Sequence, residues 1–374
     1  MNSELEEKTA RLQQLLGNEQ LGGVLLNAQH NFAWLTGGRS NGIDMTRENG
    51  ACYLFVTQKG KRYLIANNIE MNRLLAEEVS AHDFEPVEVT WQKQGATIVE
   101  TARSLTEAGD LAADLPLFTG VRSVEPLIAS CRYELTQPEM TRYRELGRDA
   151  GLALGNVTSK LAPDTTEREI ARIVRDELFS FGIFPVVTLV AADDRIAKFR
   201  HPVPTNNTWK TRLLIVVCAR RHGLIASLSR MICVGDIPSD LLRRMDATAA
   251  VNAALCAATT AGSSGAELYN TAAEAYAGQG FADEIDKHHQ GGACGYRTRD
   301  WVAHPDSKDV VRSNQAFAWN PSMTGTKTEE TVILIDGELE VITRTPDFPT
   351  ISTFVAGREY FSPGVLSLSK GASA

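Results

Sequence analysis

Two stretches of this chain carry the same punctuation in the same order, and few folds can accommodate that. Pro138 opens a helical stretch that runs to about Leu161. After Pro163, Thr166 and Glu169 stand at the spacing of a capping box. Ile170, Ile173, Val174, Leu178 and Phe181 then recur on one helical face, and Gly182 supplies a stop. The pattern is repeated further on. A helix is expected from about Ser239 to Thr260, ended by Gly262, and a second begins with Ser264 and Glu267 as its capping box and stops near Gly278 and Gly280. Two helices followed by strands, written twice, predict an internally duplicated α+β domain, although the halves share little sequence.

The first 130 residues are organised differently. Residues 22–27, 51–57 and 61–66 are short apolar runs with strand character, Gln58, Lys59 and Gly60 form a hairpin turn signal, and MNRLLAEEV from Met71 has helical spacing. This reads as an α/β domain. The junction falls near 130–138, which gives two domains, 1–134 and 135–374, each long enough to bury its own core. His30 and His82 are isolated in the first domain and read as structural or surface residues.

Composition narrows the function class by exclusion. A formal charge of -8 without a long basic run argues against nucleic acid as a partner. The acidic, amphipathic start MNSELEEKTARLQQLL has neither the basic nor the apolar part of a signal peptide, and no apolar run reaches membrane-spanning length. Six scattered cysteines with no Cys-x-x-Cys pair fit a reduced, cytoplasmic setting and read as small buried hydrophobes. Nucleophile-elbow, phosphate-loop and dinucleotide signatures are missing.

Four stretches remain that carry chemistry: FRHPVPTN around His201, LLIVVCARRHGLIASLSRM at 213–231, HHQGGACGYRTRDW at 288–301, and WNPSMTGTKTEETVIL at 319–334. Their order and spacing resemble the pita-bread family of methionine aminopeptidase, prolidase, aminopeptidase P and creatinase. The resemblance covers most of the chain and implies a creatinase-like N-terminal α/β domain followed by a pita-bread domain. In the metallopeptidase members two divalent ions are held by two Asp, one His and two Glu. Here the Asp positions fall on Val216 and Ser227, eleven apart on a predicted hairpin, the His on Gly292, and the Glu positions on Asn320 and Glu329. Only Glu329 keeps its ligand chemistry. Carboxylates clustered without their ions would repel one another and raise their own pKa values. The joint loss of three of them, with the imidazole, therefore predicts a site rebuilt to work without metal or other cofactor.

The resemblance also implies roles for what is left. His201 matches the histidine that serves as acid/base in creatinase, Glu329 a carboxylate that holds substrate there, and His288 a substrate-contacting histidine of aminopeptidase P. Pro202 and Pro204 stiffen the loop that presents His201. These three residues are expected to converge, with Ser227, Gly292 and Asn320 on the pocket wall. Trimming the ligand imidazole to Gly292 is expected to open room that His289 and Tyr296 line. Arg299 falls where aminopeptidase P has a further pocket histidine, and Lys327 replaces an Arg, so the lining turns basic and suits a small carboxylate-bearing substrate. The plainer reading makes Arg299 the rim partner of Asp300 or Glu330, and Glu329 an ordinary strand residue. Arg220, His222 and Arg230 read as structural hairpin residues. A zinc site at His288 and His289 is not expected, since neighbours on one extended strand point to opposite faces.

Three functions stay open: a metal-independent hydrolase of a C–N bond in a small amide, amidine or dipeptide-like metabolite; a catalytically silent binding or assembly module; and an aminopeptidase or dipeptidase with unusual metal use. The resemblance also implies a homodimer.

Overall fold

The computed structural model describes residues 3–369, with Ala96 described in its backbone only. They fall into two compact units, the first ending at Pro138 and the second beginning at Glu139.

The first unit is built on a six-stranded sheet of β1 (Leu21–Ala28), β2 (Asn49–Thr57), β3 (Arg62–Asn67), β4 (Glu85–Val89), β5 (Asp110–Ala113) and β6 (Arg122–Ser123), in the order β4-β3-β2-β1-β5-β6. β1 is buried along its whole length, so both faces of the sheet need cover. The Ser3–Asn18 helix packs against β1 and buries Leu5, Leu12, Leu15 and Leu16. Ile98 and Ala102 of the Gln94–Ser104 helix join Leu25, Phe55 and Ile65 in a core cluster. The β2–β3 hairpin turns at Gly60, whose φ of 81° is costly for any residue with a Cβ. The stretch from Met71 is helical as expected, though after Met71–Arg73 it widens into a π turn over Leu74–Glu78. His30 is indeed structural: it meets Glu125 at 3.0 Å, in a buried polar cluster with Asn31 and Arg132.

In the second unit the duplication becomes visible. The Gln137–Thr158 helix, which begins just before the boundary, and the Glu167–Ser180 helix lead into β7 (Phe184–Ala192), β8 (Arg212–Arg221) and β9 (Leu224–Val234). The Ser239–Ala258 and Gly265–Gly278 helices lead into β10 (Gly291–Cys294) and β11 (Ala316–Trp319). Past the short β12 (Ser322–Met323) and β13 (Thr326–Lys327), the series continues in β14 (Glu330–Ile335) and β15 (Glu338–Val341). Both capping boxes form in full, at Thr166 with Glu169 and at Ser264 with Glu267. Each N-cap residue then makes an isolated bridge to the segment before the second strand that follows it, Thr166 to Thr208 ahead of β8 and Ser264 to Val310 ahead of β11. The antiparallel series β7-β8-β9 is matched by β10-β11-β14.

β16 (Thr350–Val355) and β17 (Arg358–Pro363) form a separate hairpin, while β18 (Val365–Leu368) pairs with β9 and completes the first of two four-stranded sheets, β18-β9-β8-β7 and β10-β11-β14-β15. A backbone bridge, Ser229 to Glu329, joins β9 to the start of β14. That seam positions the site.

Candidate active site

Glu329 lies on the seam, 3% exposed, at the end of the β13–β14 connection. A carboxylate so buried would ordinarily rise in pKa, yet it is held at about 2: burial opposes its charge, and Lys327, Arg299 and the Ser229 hydroxyl outweigh burial. Lys327 Nζ stands 3.1 Å from one carboxylate oxygen, which also accepts the Ser229 hydroxyl at 2.7 Å. Arg299 Nη2 donates to the other oxygen at 3.1 Å. Two fixed cations thus surround one buried carboxylate, and the group carries a net positive charge.

Beside them sit three imidazoles. His201 and His288 share a hydrogen bond between their Nε2 atoms at 3.2 Å. His288 and His289 stack with ring centroids 4.4 Å apart and 24° between planes. Burial, then Lys327, pushes His288 down to about 2. His289, though exposed, is pushed to about 4 by the surrounding protein, then by Arg299 and Lys327, and His201 is lowered by burial and by Lys327. Glu329 pulls the other way on all three. All three rings are neutral near pH 7. His288 Nδ1 is buried without a partner among the described residues.

The stacked pair corrects the expectation that His288 and His289 point apart. That expectation presumed a strand through both residues. β10 begins only at Gly291, and His288, extended at φ -164° and ψ 148°, instead caps a 3-10 helix over Ala282–Lys287. The two rings therefore lie side by side.

A second correction concerns Gly292, which opens no room. A Cβ there would meet the Trp301 carbonyl oxygen at 2.1 Å and Val302 Cα at 2.9 Å. The 300–303 segment is tied across this strand by Asp300 N–H to Ala293 O at 2.8 Å and Ala303 N–H to Gly291 O at 3.0 Å. Backbone fills the space that a side chain at 292 would need.

The other positions at which the resemblance led one to expect ligands offer no ligand set either. Val216 is buried in an apolar cluster with Ala191, Leu214 and Met231. Ser227 gives its hydroxyl to Cys218 Sγ at 3.3 Å, while its backbone is clasped by Thr331 on β14. Asn320 is 2% exposed, and its Oδ1 has no partner among the described residues. Hydrocarbon, a tied hydroxyl and a glycine closed by backbone do not fit a pair of divalent ions, which need a converging set of carboxylates.

Of the further candidates, Arg299 and Lys327 join Glu329, whereas Tyr296 donates its hydroxyl to Glu139 at 2.8 Å within the helical layer. Arg299 is no partner of Glu330. Glu330 projects to the opposite side of β14, where it meets Arg230 at 2.9 Å and burial pushes its carboxyl up. Arg220 packs over Phe184 at 5.1 Å. Two contributors went unread in the sequence. Ser229, two residues beyond the expected wall position, holds Glu329. Arg200, just before His201, pairs with buried Glu284, which also accepts from the Thr324 N–H at 3.0 Å and hydroxyl at 2.8 Å. This clamp ties the His201 loop to the turn that carries His288, and no local pattern announces it.

A duplicated helix-and-sheet unit whose halves meet at a buried carboxylate, behind a creatinase-type first domain, defines the pita-bread class. Residues 141–341 match the model of metallopeptidase family M24, and residues 8–119 that of the creatinase/prolidase N-terminal domain. The chain belongs to family M24. Solved structures agree on the fold. The Xaa-Pro dipeptidase from Bacillus anthracis superposes with a TM-score of 0.78 at 16% identity, over 97% of this chain and 100% of that one. The prolidase from Pyrococcus horikoshii OT3 gives 0.76 at 17% identity, over 91% and 98%. The N-terminal domain of the FACT complex subunit SPT16 from chickpea gives 0.71 at 10% identity, over 92% and 97%. No curated protein matches the chain in sequence. Among the described residues, no helix is long and apolar enough to cross a membrane.

Proposed function

We propose that this chain is a hydrolase that cleaves the C–N bond of a small, carboxylate-bearing amide, amidine or dipeptide-like metabolite without the family's pair of metal ions. The observation that carries the reading is the pairing of Glu329 with both Lys327 and Arg299, beside neutral His201 and His288. Two cations against one carboxylate leave one positive charge to receive the substrate's carboxylate through charge-assisted hydrogen bonds. His201, which is exposed, takes a proton from water as the water oxygen bonds to the substrate carbon. The C–N bond then breaks and the proton passes to the leaving nitrogen. His288 accepts or donates across the 3.2 Å contact and so keeps the His201 ring oriented. Cytoplasmic residence and a homodimer in which the first domain approaches a partner's pocket complete the proposal.

A metabolite library screened by thermal shift, with hits followed by mass spectrometry, tests it. Carboxylate-bearing hits turned over by wild type and not by His201→Asn support the reading. Hits that bind and are never cleaved would shift it to a binding module on the same fold.

A further inference from the structure

We propose that His201, His288 and His289 form a binding site of their own for a single late first-row transition ion, of the Zn2+ or Co2+ kind, separate from the carboxylate positions of the family. One ligand atom from each imidazole can be chosen so that all three lie within 4.8 Å of one another. The His201–His288 separation of 3.2 Å is also close to the edge of a zinc tetrahedron, about 3.3 Å for bonds of about 2.0–2.1 Å. Imidazole suits zinc and cobalt, whereas the hard ions that prefer oxygen find no carboxylate free here, since Glu329 is taken by Lys327 and Arg299. Three protein ligands leave a fourth position for water, and two of the three residues are exposed, so an ion can reach them.

Binding proceeds against two cations and with one anion, so the neighbouring charges set the affinity and give the proposal a second handle. Replacing Lys327 should tighten the site, because a repelling charge is removed. An ion held here takes an imidazole lone pair of His201, the one that the acid–base reading assigns to a proton. In this consequence alone the inference rests on that reading: the ion acts as a brake on turnover.

Titration of tag-free, full-length protein with Co2+, read by calorimetry and visible absorption, tests the site without any substrate. Wild type should bind one Co2+ per chain with tetrahedral ligand-field bands, displaced by Zn2+. His201→Asn and His289→Asn, both at exposed positions and checked for folding by circular dichroism, should each weaken binding by at least about tenfold. Lys327→Met should strengthen it. Absence of saturable Co2+ binding at millimolar concentration would overturn the site. So would affinity unchanged in both histidine variants, or a thiolate-to-cobalt absorption that puts the ion on a cysteine. Turnover unaffected by saturating Zn2+ would overturn the brake. Failure of the acid–base reading shows itself separately, as full turnover in metal-free His201→Asn.

Discussion

Lys327 Nζ lies 3.1 Å from Glu329 Oε2, and the two side chains are 5% and 3% exposed. With Arg299 on the other oxygen, a lysine and an arginine keep this buried carboxylate ionised.

That arrangement makes Glu329 a stability residue as well as a site residue. Glu329→Ala leaves two cations facing each other in a site with little water, and breaking a buried pair in this way costs about 3–5 kcal/mol. Urea denaturation of wild type and variant measures it. A loss below about 1 kcal/mol would mean that solvent already screens the group.

Restoring the family's imidazole should fail. In Gly292→His the new Cβ starts 2.1 Å from the Trp301 carbonyl oxygen, so the 300–303 segment must move, at a cost of about 1–3 kcal/mol or more. Thermal melting should show a lower Tm with no gain in bound Mn2+. An unchanged Tm with new metal bound would show that the segment yields freely.

Substrate recognition and chemistry should separate by residue. Lys327→Met and Arg299→Ala should each weaken a carboxylate ligand by about 1.5–3 kcal/mol, the worth of a hydrogen bond to a charged group. His201→Asn should lower kcat by about 10²–10⁴ with a smaller change in affinity. Steady-state kinetics on the first cleaved metabolite checks both. Cationic hits indifferent to Lys327 and Arg299 would refute the anion argument.

How much of this was legible in advance differs by element. The capping boxes at Thr166 and Ser264 and the hairpin at Gly60 were readable because each is a local signal over three or four residues. The register that unites the halves, Ser229 against Glu329, links residues 100 apart and leaves no local trace. Gly292 misled because a missing side chain reads as space, whereas neighbouring backbone had moved in. His288 and His289 misled because strand alternation was applied three residues before β10 begins. That Val216 and Asn320 carry no ligating carboxylate is read directly from the sequence. The convergence of Arg299 and Lys327 on Glu329 joins residues of separate segments and needed the fold.

The first unit supplies a pH prediction. Burial works to raise Glu125, but hydrogen bonds and charge from His30, Arg132 and Asn31 hold it at about 2, against an ordinary 4.5. A carboxyl lowered on folding contributes its stability above the unfolded value and loses it as pH falls through the folded one. The contribution, about 3 kcal/mol at most, is therefore complete above about pH 5 and fades between about 4.5 and 2. Buried Asp114, which burial raises, works in the opposite sense, so the comparison must be with Glu125→Gln. The stability gap between wild type and variant, followed by urea denaturation from pH 6 to 3, should narrow on acidification. A gap that widens would reverse the assignment.

Whether Lys327 and Arg299 stand in for divalent ions at Glu329 is tested by anomalous diffraction from crystals equilibrated with millimolar Mn2+, an ion that prefers oxygen ligands to imidazole. No manganese is expected within bonding distance of Glu329, and both ion pairs should be intact. Two manganese peaks bridged by the Glu329 carboxylate, with Lys327 swung away, would contradict it.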